Sequence, residues 1–143
     1  SKTGTELPRR SARYRAASAR AYLSLVRRDT ADAIKKFTAL HDTLCIACYV
    51  DRMEAAKLLG ARGRIADAEK LLIQRVYNLI TPVEILIAFE RARVAARLGH
   101  RDEALRSYRL VVAAWSTGDP ELQRYVGESR REISRLAAQA RSP

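Results

Sequence analysis

The chain has 143 residues, with 27 Lys and Arg against 16 Asp and Glu, for a formal net charge of +11. Hydrophobic residues make up 48% of it and only two residues are cysteine, which excludes a disordered basic tail and a disulfide-stapled miniprotein. No apolar run approaches the ~18 residues of a membrane-spanning helix, so the length reads as one compact domain or a short repeat array.

The chain opens at Ser1 rather than Met, as a trimmed or excised piece would, and residues 1–10 are polar, contain Pro8 and read as a flexible lead-in. Helices are then predicted over 13–28, 30–41 behind an Asp29 cap, 46–62 and 65–77, with Gly63 between the last two. Thr81, Pro82 and Glu84 form a strong helix start, with Thr as cap, Pro in the first turn and Glu three residues after the cap. That helix is predicted to reach Leu98, where Gly99 stops it, and the next to span 101–115. Gly118, Asp119 and Pro120 mark another stop and start, with Asp119 capping a last helix of about 120–140. Sustained period-two alternation and hairpin-turn dipeptides are missing, so the predicted class is all-α.

The helices repeat. Arg28, Gly63 and Gly99 hold equivalent turn positions, 35 and 36 residues apart. Ala33, Ala68 and Ala104 follow at a fixed offset, and a large apolar residue, Phe37, Leu72 or Tyr108, comes four residues later. Seven residues before each turn stands a small residue, Ala21, Ala56 or Ala92. Small residues at these offsets let two helices cross closely, and the bulky one fills the gap beside the crossing. Two helices in a period of 35–36 residues is the pattern of a helical solenoid.

The small–turn–Ala–aromatic register resembles the tetratricopeptide repeat, in copies at about 14–46, 49–83 and 85–119, or roughly three quarters of the chain. The resemblance implies a right-handed α-solenoid of three antiparallel hairpins, at about 13–46, 47–80 and 82–117, with the last helix as a cap. Copy one departs from the family pattern, with Arg28 where Gly is usual and Arg20 where Leu is usual; copy two has Leu72 at the aromatic position. The wording of 38–45 (TALHDTLC), 47–49 (ACY) and 91–99 (RARVAARLG) also resembles the repeat tails of some bacterial membrane-anchored serine/threonine kinases. That likeness implies a sensor or scaffold tail, cytoplasmic or extracytoplasmic, although kinase motifs are absent from the chain.

Candidate chemistry is sparse. Cys45 and Cys48 form one CxxC; a structural zinc site needs four ligands, and the histidines, His41 and His100, do not complete one. Two packed thiols, a local disulfide closing the loop into the third helix, and metal or redox chemistry all fit that spacing. Ser24, Asp29 and His41 are near in sequence but lack a nucleophile-elbow pattern, and His100 sits at a turn. Glu54 and Glu90 hold equivalent positions, each with a cation three residues on, Lys57 or Arg93, which fits surface pairs better than acid–base work. The sequence therefore reads as non-enzymatic, with no cofactor and no metal.

A tetratricopeptide groove is lined by the first helix of each hairpin. By repeat alignment that face carries Arg15, Ser18, Ala19 and Tyr22, then Val50, Met53, Glu54 and Lys57, then Leu86, Phe89, Glu90, Arg93 and Arg97. Aromatic and apolar anchors flanked by cations suit an amphipathic or acidic peptide. The alternative is that Met53, Phe89 and Leu86 pack against neighbouring repeats. The family's carboxylate clamp of Lys and Asn is not matched. Residues 1–20 alone carry +5 of the net charge, so a basic surface for nucleic acid or an anionic membrane is the second reading. The expectation is a soluble protein-binding or assembly scaffold of a bacterial protein.

Overall fold

A computed structural model of the chain describes residues 6–40, 46–73 and 82–139. They form α1 (Glu6–Val26), α2 (Thr30–Thr38), α3 (Ile46–Ala61), α4 (Ile65–Leu72), α5 (Pro82–Leu98), α6 (Arg101–Trp115) and α7 (Gln123–Gln139). A 3-10 turn, Pro120–Leu122, leads into α7. Strands are absent among the described residues, and the chain is all-α. No helix among them is long and apolar enough to cross a membrane.

Helix boundaries follow local chemistry. α1 starts at Glu6, inside the stretch expected to be a flexible lead-in. Pro8 falls in its first turn, where an absent N–H leaves no helical bond unmade. Asp29 caps α2 as expected, its carboxylate accepting from the Asp32 N–H at 2.9 Å. Asp119 makes no side-chain cap bond. The Gln123 side chain serves that corner, donating from Nε2 to the carbonyls of Trp115 at 3.2 Å and Gly118 at 2.9 Å. The expected cap Thr81, together with His41 and Cys45, lies outside the described residues.

Three interhelical turns share one geometry. Arg28, Gly63 and Gly99 have φ of 61°, 78° and 78°, the positive values found among the described residues. After each, the next N–H reaches back to a carbonyl of the preceding helix: Asp29 to Ser24, Arg64 to Leu59 and His100 to Ala95, each at 2.9 Å. The left-handed residue itself donates to Leu25, Gly60 or Ala96. This pair of bonds is the Schellman motif, and it satisfies helix-end carbonyls that would otherwise lack donors. An acid stands in the first turn of each following helix, Asp32, Asp67 and Glu103. There it complements the positive helix N-terminus and pairs with Lys36, with Arg64 and Lys70, and with Arg91 and Arg106 respectively.

The register seen in the sequence also marks the core. Ala21, Ala56, Ala92, Ala33, Ala68 and Ala104 are all at most 1% exposed, so helices joined by each turn approach with little side chain between them. Phe37, Leu72 and Tyr108 are buried beside them. Each helix packs against its successor in chain order, and α3 also meets α5. Apolar burial is distributed along the chain in successive clusters. One gathers around Phe37, one around Leu59 and Leu72, and one around Phe89, Tyr108 and Trp115.

Candidate functional site

The odd-numbered helices are tied to one another through polar side chains. From α1, the Tyr14 hydroxyl donates to Asp51 Oδ2 on α3 at 2.7 Å. Tyr22 lies near the same carboxylate, and its ring meets Phe37 edge-on, with centroids 5.0 Å apart. Burial, then the charge of Asp51, pushes the Tyr22 hydroxyl pKa above its ordinary value. On α3, Lys57 Nζ bonds Glu54 at 2.9 Å and lies close enough to act electrostatically on Glu90 of α5. Arg93 of α5 stands between Glu90, at 3.4 Å, and Glu128 of α7, at 3.5 Å. One polar strip thus crosses α1, α3, α5 and α7.

At its α5–α7 end the strip opens into a cleft of about 380 Å³, lined by Arg93, Ala96, Arg97, Tyr108, Glu128, Glu132 and Arg135. Arg135 bonds Glu132 from Nη2 at 2.7 Å. Burial pushes the Tyr108 hydroxyl above its ordinary pKa, and the charges of Glu132 and Glu128 add to the rise. Glu90, with only an edge of its side chain open to water, is likewise raised by burial; Arg93 and Lys57 act against the rise, and Glu128 with it. Cations and carboxylates alternate along this surface.

The candidate residues chosen by repeat alignment divide into two sets. Glu54, Lys57, Glu90 and Arg93 come together as the middle of the strip, and Tyr22 borders its α1 end. Arg15 is exposed on α1 and has no ion pair or side-chain hydrogen bond among the described residues. Arg97 lines the cleft but is also fastened through Nη1 to the Gly60 carbonyl at 2.8 Å. Met53 and Phe89 are 5% and 3% exposed. Phe89 packs edge-on against Tyr108 and Tyr125, at 6.2 and 5.1 Å, so the surroundings of both match packing rather than exposure to a partner.

Asp51, Tyr14, Glu128 and Arg135 escaped sequence reasoning. Asp51 carried a usable signal, since it precedes Glu54 and Lys57 at successive i,i+3 spacings. Glu128 and Arg135 lie on the helix read as a cap, whose facing side gives no repeat signal.

The local motifs acquire plain structural surroundings. Ser24 is buried, its single hydroxyl proton shared between the Arg20 carbonyl at 3.0 Å and Asp32 Oδ2 at 2.6 Å, and the latter contact fastens α1 to α2. His100 Nδ1 lies 2.8 Å from Glu69 Oε1, linking the middle of α4 to the N-cap position of α6 through side chains. Cys48 is buried and disulfide-bonded. Among the described residues no three His, Cys, Asp or Glu side chains converge as metal ligands would. No family model, no curated protein and no solved structure matches the chain.

Proposed function

We propose that this chain is a tetratricopeptide-like, right-handed solenoid of three hairpins capped by α7, and that it serves as a non-enzymatic protein-binding scaffold. The odd-numbered helices form its receiving face, and the ligand is a peptide segment carrying both signs of charge. The observation that carries this reading is the polar strip from Glu54 and Lys57 through Glu90 and Arg93 to Glu128, ending at the α5–α7 cleft. The three matching turns at Arg28, Gly63 and Gly99 support the repeat architecture.

Such a strip can exchange partners cheaply. Partly exposed ion pairs are worth only about 0–1 kcal/mol each, and the pairs of Arg93 are long, at 3.4 and 3.5 Å. An incoming carboxylate that engages the Arg93 fork in bidentate fashion improves on both. A ligand cation then meets Glu128 or Glu132, released from Arg93 and Arg135. The cleft supplies the concave surface that fixes orientation.

Affinity capture from lysate at physiological salt tests the reading. Wild type is compared with Arg93→Glu/Arg135→Glu, both exposed positions, after circular dichroism establishes equal helicity. Selective loss of specific partners by the variant is expected. Equal recovery by both proteins removes the proposed groove.

A further inference from the structure

The strip neutralises itself, so the excess positive charge lies elsewhere, and α1 holds a large part of it. This helix is 21 residues long, about 31 Å at the usual rise. Arg9, Arg13, Arg20 and Arg27 recur at spacings of four and seven, which places them along one edge of the α1 helical path. All four are exposed, and none has a side-chain ion pair or hydrogen bond among the described residues. Elsewhere several cations are engaged, among them Lys36 with Asp32, Lys57 with Glu54, Arg106 with Glu103 and Arg135 with Glu132.

Beside this row the helix exposes apolar side chains. Leu23 is 51% and Val26 80% exposed, and exposed Ala12, Ala16 and Ala19 continue their line toward the helix start. Arg15 borders the far side. The opposite face of α1, through Ala21 and Ser24, is spent on α2. Among the described residues, an apolar line bordered by unpaired arginines is left without a covering element.

We propose that this open face of α1 docks an acidic amphipathic helix of a partner protein. Such a helix would set its apolar side over Leu23, Val26 and the alanine line, with its flanking carboxylates on the Arg row. The charge pattern selects among occupants. A second copy would bring Arg13 and Arg20 against their own counterparts, and like charges repel. Nucleic-acid binding by stacking needs aromatic side chains, and the line between the arginines holds none. A bilayer gains its binding from bulky apolar side chains in the acyl boundary, whereas three of these five positions are alanine. Alanines suit close helix–helix approach, and arginine suits geometric recognition of carboxylates.

The test is fluorescence anisotropy at 0.15 M salt with two synthetic helical peptides, one bearing a Leu stripe flanked by Glu and one the same stripe flanked by Lys. The chain is expected to bind the Glu-flanked peptide at least tenfold more tightly than the Lys-flanked one. R13E/R20E is expected to lose that preference and to gain affinity for the Lys-flanked peptide. Arg93→Glu is expected to leave it unchanged, which separates this face from the proposed groove. Equal binding by wild type and R13E/R20E overturns the proposal. So does tighter binding, under the same conditions, to phosphatidylserine vesicles or a DNA duplex, or self-association abolished by R13E/R20E.

Discussion

The guanidinium of Arg97 donates from Nη1 to the carbonyl oxygen of Gly60 at 2.8 Å, joining α5 to the last turn of α3 across 37 residues of sequence. That carbonyl also accepts from the Gly63 N–H at 3.1 Å, so Arg97 takes up its second lone pair and acts as a fastener between α3 and α5. Arg97→Met keeps the alkyl stem and removes the donor. It is expected to cost about 1 kcal/mol, in keeping with a partly exposed charge-assisted bond. Urea unfolding should show a lower midpoint with an unchanged slope.

The interhelical turns give a set of substitutions with opposite signs. Gly63 and Gly99 each have φ of 78°, and a Cβ at either would meet nothing within 4 Å. Gly63→Ala and Gly99→Ala therefore test backbone strain alone and are expected to destabilise by about 1–2 kcal/mol each. Arg28 already bears that strain, at φ of 61°. Arg28→Gly should stabilise by up to about 1 kcal/mol, the gain being trimmed by the greater freedom of glycine in the unfolded chain. Denaturant midpoints of the three variants check the order.

Phe89 is a core residue, 3% exposed. Its ring contacts Tyr108 and Tyr125, and Arg93 lies over it at 5.7 Å from the centroid. Phe89→Ala is expected to cost about 3–5 kcal/mol, the usual range for deleting a buried ring. A thermal scan that leaves the melting temperature unchanged would place Phe89 at the surface instead.

Glu90 sets a pH dependence. Burial raises its carboxyl above the ordinary value, with Arg93 and Lys57 opposing only in part. Raised in the fold, it binds protons more tightly there than in the unfolded chain. Its penalty is absent below the unfolded value, about 4.3, and is fully present above the folded value. Glu90→Gln removes that penalty. The variant should melt above wild type at pH 7, with the difference shrinking as the pH falls toward 4.

Much of this fold was legible because its constraints are local. A left-handed helix end favours glycine, so Gly63 and Gly99 announce themselves, and Arg28 is found through its spacing from them. The alanines at the helix crossings are small for a reason that repeats with the hairpin. Other features depend on what lies opposite. An apolar stripe does not reveal whether another helix covers it, and so Met53 and Phe89 read equally as anchors or core until α5, α6 and α7 are placed. Pro8 reads as a breaker until the helix start at Glu6 puts it in the first turn. The pairing of Arg93 with Glu128 joins a repeat helix to the last helix, a relationship that no periodicity contains.

Whether the α5–α7 end of the polar strip receives a protein segment, as proposed, is read out by site-specific photo-cross-linking in lysate at physiological salt. A photoreactive residue replaces Ala96, which lines the cleft, or Leu110, which is exposed on α6 and outside the cleft lining. Discrete adducts are expected from position 96 that are missing from position 110 and are lost when Arg135→Glu is added. The same adducts from both positions, or adducts indifferent to Arg135→Glu, would contradict the proposal.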